Sequence, residues 1–207
     1  MKKTYILLGF VILILAMWLL NDWQSGNWEE NLPPSVLPKL EAIEPEELNG
    51  YKEFTSPDGK LKITYPAPWL TAENQELLTA ATPKEWQEKY SAKTLFLTQY
   101  FKADKFAQLM IQEGVFDIPA EEIIEEMKKS NQKQDLNMEI VKSDTADDRT
   151  IFEARYLTAN SPNLYSKEKI LSIGEKTYLI AFITLEKNWP EFAQEADVIL
   201  ESIRISL

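Results

Sequence analysis

Residues 178–185 constrain this chain more than any other segment. Their apolar side chains fall on both faces of an extended strand, which makes the segment a central strand covered on both sides. Shorter patterned runs surround it. Leu61, Ile63 and Tyr65 alternate with Lys60, Lys62 and Thr64, the period of a half-buried strand. Pro57-Asp58-Gly59 is a turn before it. Pro66-Ala67-Pro68-Trp69 ends the strand, since proline cannot extend the ladder, and leaves Trp69 as a core anchor. Residues 95–101 and 106–116 are rich in aromatic and β-forming types and read as a hairpin around Lys102-Ala103-Asp104-Lys105. Residues 138–143, 150–157, 167–174 and 177–185 read as strands, with Asp147-Asp148 and Gly174-Glu175-Lys176 as turns.

Two helices fit among these strands. Pro119 suits the first turn of one; Glu121 and Glu122 face the positive end of its dipole, and Lys128 and Lys129 the negative end. Ile123, Ile124 and Met127 form its apolar stripe. Pro190 opens the other, with Phe192, Ala196, Ile199 and Leu200 on one side, and a short strand at residues 203–205 follows. Consecutive strands joined by tight turns predict an α+β domain over residues 51–207, a mostly antiparallel sheet with helices packed on its faces.

The first fifty residues differ in kind. Lys2 and Lys3 precede fifteen residues, 6–20, of which eleven are Leu, Ile, Val or Phe. Near a bilayer centre these contribute about −5 kcal/mol toward insertion. Extended to Thr4, a helix here is roughly 25 Å long, somewhat short of a ~30 Å hydrocarbon core. Tyr5, Trp18 and Trp23 would occupy the interfaces. The expectation is a single N-terminal transmembrane helix over residues 1–23, membrane-embedded through residues 4–23, with the N-terminus cytoplasmic and the domain extracytoplasmic. A cleaved signal peptide is the alternative, but Asn21-Asp22-Trp23-Gln24-Ser25-Gly26 lacks the small-x-small pattern that cleavage needs. Residues 24–50 carry Pro33, Pro34, Pro38 and Pro45 among acids and read as a semi-rigid spacer. The other reading packs Trp28 or Leu40 against the domain.

Two absences bound the chemistry. With no Cys and no His in 207 residues, thiolate nucleophiles, Cys or His metal ligands, disulfides, Ser–His–Asp triads and lipidated cysteines are excluded. The net charge is −11, and about −7 of it belongs to residues 51–207, because seven acids and three lysines precede them. Such a surface repels phosphate backbones, so nucleic acid is not an expected partner.

Phe54-Thr55-Ser56-Pro57-Asp58-Gly59 followed by Ile63-Thr64-Tyr65-Pro66-Ala67-Pro68-Trp69 resembles the opening of PsbP-like domains. The similarity continues through the Pro-led helix, a Glu153–Tyr156 strand segment, a strand–turn–strand unit ending in Leu179–Phe182, and Trp189 leading a helix into Glu201-Ser202-Ile203-Arg204-Ile205. Over residues 51–207 the chain thus resembles a membrane-anchored, bacterial-type member of the PsbP-like family, with its Mog/PsbP-like fold. The resemblance implies an α-β-α sandwich that is non-catalytic and docks on a larger membrane assembly or another protein. The ion-binding residues of photosynthetic members include histidines, which this chain lacks, so that function does not carry over.

Candidate chemistry is sparse. Ser166-Lys167-Glu168-Lys169 matches the S-x-x-K of Ser–Lys acyl-transfer enzymes, but that motif needs a helix and this one opens a predicted strand. Glu121, Glu122, Glu125 and Glu126 on one helix, and Asp144, Asp147 and Asp148 at one turn, lack the loop pattern of a calcium site and read as solvated faces. Trp69, Trp86, Tyr90, Tyr100, Phe101, Phe106 and Phe116 read mostly as core, those on residues 82–90 and the hairpin alternatively as the rim of a docking groove. No catalytic, cofactor-binding or metal residue is assigned. The expected function is a non-enzymatic, membrane-tethered interaction or assembly module whose partner is another membrane or envelope protein. The alternative is a domain that binds a small ligand or lipid.

Overall fold

The structure, a computed structural model, describes residues 50–102, 104–146, 149–159 and 161–206. The anchor expected over residues 1–23, the spacer up to residue 49 and the Asp147-Asp148 turn lie outside them. Among the described residues no helix is long and apolar enough to cross a membrane.

The chain begins with a hairpin of β1 (Tyr51–Thr55) and β2 (Leu61–Pro66), then passes through β3 (Leu70–Thr71) into α1 (Gln75–Ala80) and α2 (Lys84–Tyr90). A second hairpin, β4 (Lys93–Lys102) and β5 (Lys105–Gly114), leads to α3 (Ala120–Gln132). A four-strand meander follows: β6 (Leu136–Ala146), β7 (Arg149–Thr158), β8 (Leu164–Ile173) and β9 (Lys176–Leu185). After a 3₁₀ turn come α4 (Trp189–Glu201) and β10 (Arg204–Ile205). Seven strands form one antiparallel sheet in the order β3-β4-β5-β9-β8-β7-β6.

As its apolar pattern requires, β9 is the central strand of seven and is buried on both faces. Leu179, Ala181, Ile183 and Leu185 point to one side, where α2 and α3 contribute Trp86, Tyr90, Ile123 and Ile124 to a common core. Burying each isoleucine of α3 contributes about 1.5–3 kcal/mol. Tyr178, Ile180 and Phe182 point to the other side. There the cover is mixed: α4 through Phe192, Ala196, Ile199 and Leu200, and β2 through Leu61, Ile63 and Tyr65.

The α+β class and the helices on both faces are as expected; the second sheet is the difference. A separate three-stranded sheet, β1-β2-β10, shares the second outer layer with α4. Its edge strand β1 is exposed except at Phe54, so it needs no apolar alternation and leaves no periodic signal. Strand β2 ends at Pro66, opposite Tyr51; β10 pairs with β2 only at Leu61 and Lys62, so β2 is an edge at Pro66 and proline is tolerated there. Helix α2 carries Trp86 and Tyr90 one turn apart on its buried side, a helical spacing within residues 82–90.

Candidate functional site

Polar side chains are organised in three places. The first is the Pro57-Asp58-Gly59 turn, which Gly59 permits by adopting φ 73°. It aims Asp58 at the start of β9, where Lys176 Nζ lies 2.8 Å away and the Tyr178 hydroxyl donates at 3.1 Å. Ser56 Oγ donates to the other carboxylate oxygen at 2.6 Å. Lys176 also reaches Glu113, which pairs with Lys93 at 2.9 Å. The Lys176 ammonium, aided by Ser56, holds the Asp58 carboxyl well below the usual carboxylate range. Burial, then the neighbouring carboxylate, pushes the Tyr178 phenol up to about 12. This clasp ties the small sheet to the large one, so the turn motif is structural.

The second place is the core beneath α3. Glu168 on β8 is 4% exposed, and its Oε1 accepts hydrogen bonds from Tyr156 Oη at 2.5 Å and Ser166 Oγ at 2.7 Å. Desolvation raises the Glu168 carboxyl above its ordinary range, and burial with that carboxylate beside it raises Tyr156. Sequence inspection offers no signal for this group, because its alternation with Lys167 and Lys169 makes it look like one charge among several.

The third place is a cleft of ≈ 690 Å³ between α4 and the outer strands on the mixed face. Beyond β9 the rows of the sheet change character. Phe182 continues outward as Lys167, Glu153 and Lys142; Ile180 continues as Lys169, Ile151 and Asp144; Tyr178 as Leu171 and Arg149. Asp197, Leu200 and Glu201 of α4 form the facing wall, with Ile203 after it. Lys167 pairs with Asp197 and sits 4.0 Å from Glu153, which accepts from the Tyr165 hydroxyl at 2.6 Å. Desolvation, then Glu153, pushes that phenol up to about 12.

A β-bulge builds the outer side of this cleft. Ile140 pairs with Ala154, whereas Lys142 pairs with Glu153, so Val141 is the extra residue. Before it, Leu136 and Met138 point into the core under α3. After it, the phase is reversed, and Lys142 and Asp144 point to the cleft. Without the bulge both charges would face the opposite side.

The sequence candidates fare differently. Ser166 is fully buried under α3, while Lys169 lies on the opposite sheet face and reaches the Leu200 carbonyl at 3.4 Å. Three residues apart on a strand, they point apart and form no nucleophile–base pair. Glu125 and Glu126 pair with Lys128 and Lys129 along α3, and Glu126 also with Lys89. Among the described residues no group of three or more acids is placed to hold a metal ion. Of the aromatics, Trp69, Trp86, Tyr90, Phe106 and Phe116 are buried and Tyr100 is half-buried; Phe101 is exposed, its ring tilted against that of Phe106 at 5.2 Å between centroids. Trp86, 5% exposed, borders a groove of ≈ 420 Å³ between α2 and α3, lined also by Glu85, Glu126, Lys129 and Lys133.

No family model matches the sequence, and no curated protein does. Solved structures are similar to it. One is cyanobacterial PsbP (CyanoP) from Synechocystis sp. PCC 6803, with 14% identity and a TM-score of 0.55 over 81% of this chain and 99% of that one. Another is the Ran-binding protein Mog1p of Saccharomyces cerevisiae, with 8% identity and a TM-score of 0.52 over 75% of this chain and 95% of that one. Identities this low speak to architecture alone, and the architecture is a PsbP/Mog1-like fold.

Proposed function

We propose that this protein is a non-catalytic, membrane-tethered, extracytoplasmic module that docks on another membrane or envelope protein through the cleft beside α4. The observation that carries this reading is the lining of the cleft: Lys142, Arg149, Lys167 and Lys169 face Asp144, Glu153, Asp197 and Glu201, with apolar surface from Ile151 and Leu200 between them. Pockets for small ligands carry only a few polar groups, whereas eight charged side chains line this cleft, so the alternative of a lipid or small-ligand site has less support. Charged, partly self-neutralised surfaces suit protein contacts, where charge sets specificity and encounter rate. The non-catalytic part of the reading is supported by Ser166 and Lys169 pointing apart, so that the S-x-x-K spacing makes no Ser–Lys pair. By its name Mog1p is a Ran-binding protein, and a binding role for the same fold here is an analogy at the level of fold. The tether rests on the apolar run of residues 6–20.

The test is affinity purification of the full chain, anchor intact, from mildly solubilised membranes. The module should recover one specific protein in a salt-sensitive manner. Recovery of nothing above an anchor-only control sinks the proposal. Native mass spectrometry that showed a stoichiometric bound lipid would favour the alternative.

A further inference from the structure

We infer that the cleft receives an extended polypeptide segment carrying charges of both signs, in the order acid-x-base-x-acid. This rests on the docking reading above and adds the chemistry of the occupant. Within the cleft, Lys167, Glu153 and Asp197 are committed to one another. Arg149, Asp144, Lys142 and Glu201 are exposed, and among the described residues none of the four makes an ion pair. Three of them fall on successive rows of the sheet: Arg149 opposite Ala146, then Asp144 opposite Ile151, then Lys142 opposite Glu153. Their signs alternate along the strand direction, and the rows are roughly 7 Å apart. An extended peptide presents its same-side residues at that spacing, two positions apart. A segment laid along β6 and β7 therefore meets each unpaired charge with every second side chain. Half-buried Ile151 offers apolar contact on the floor, and Glu201 stands on the far wall.

The bulge at Val141 is an independent sign that this pattern is built. It delivers two neighbouring charges of opposite sign to the cleft at the cost of one unpaired residue in the ladder. A uniformly anionic occupant, whether a polynucleotide or an acidic lipid surface, would meet Asp144 and Glu201 at the same time as the cations, and is disfavoured by like-charge repulsion.

The experiment selects a phage-displayed random-peptide library on the biotinylated full chain in nanodiscs, after depletion on empty nanodiscs. Enriched peptides should carry acid and base at alternate positions. Their affinity should fall about tenfold with Arg149→Glu or Lys142→Glu, and recover when the peptide's matching acid becomes lysine. Both positions are exposed, so loss of folding does not confound the comparison, and circular dichroism of each variant checks it. Enrichment of uniformly acidic or apolar peptides overturns the inference, as does no enrichment, or binding indifferent to both substitutions. If the membrane purification still recovers a specific partner in those cases, the docking reading stands and only this occupant falls. If it recovers none, the docking reading itself has failed.

Discussion

Replacing Glu168 with glutamine is expected to shift stability in favour of the variant progressively as pH rises above 4.5. In the unfolded chain this carboxyl titrates near its ordinary value of 4.5; in the folded core, desolvation raises it. Between those two values the folded state holds a proton that the unfolded state has released. The unfolding free energy then falls with pH, by at most about 1.4 kcal/mol per pH unit for a single proton. Below pH 4.5 both states keep the proton and the slope vanishes. Above the folded value both have lost it, and the difference levels off. Glutamine preserves the shape and the Oε1 acceptor for Tyr156 and Ser166 but does not titrate. Its new NH₂ group adds a cost of about 1–3 kcal/mol if left unmet, and that cost is independent of pH. The slope of the difference, not its sign at one pH, is therefore the test. Urea denaturation of both full chains, followed by circular dichroism at stepped pH from 4.5 upward, measures it. A difference curve that is flat, or that falls with pH, refutes a desolvated carboxyl under α3.

Three other perturbations probe the scaffold. Asp58→Asn should cost about 1.5–3 kcal/mol by weakening charge-assisted bonds to Lys176, Ser56 and Tyr178. Because the folded Asp58 carboxyl is depressed, its contribution is present above the ordinary 3.8 and fades as pH falls below it, so parent and variant unfolding curves should converge in acid. Ile123→Ala, at a position 1% exposed on α3, should cost about 2–5 kcal/mol in urea midpoint analysis, while an effect below about 0.5 kcal/mol would mean α3 does not seal the core. Gly174→Ala should lose about 1–2 kcal/mol in the same assay, since Gly174 opens the two-residue β8–β9 turn at φ 62° with open space around it, and the penalty is conformational alone.

What the residues settle unaided is whatever depends on local period and covalent constraint. Residues 178–185 declare a strand covered on both sides because no half-exposed strand tolerates apolar groups at both parities, and β9 is the central strand. Ile123 and Ile124 on α3, and Phe192, Ala196, Ile199 and Leu200 on α4, follow from the helical repeat. The absence of Cys and His excludes whole classes of chemistry before any fold is known. Tertiary structure alone decides features that depend on register and on distant pairing. Strand β10 joins β2 across some 140 positions of chain, and nothing local to Arg204 or Ile205 encodes that partner. Glu168 looks like a surface charge until the pairing of β7 with β8 and the cover of α3 take water away from it. The cleft is the clearest case. One extra residue at Val141 reverses which face every later side chain of β6 presents, a shift visible only when β7 shows what stands opposite.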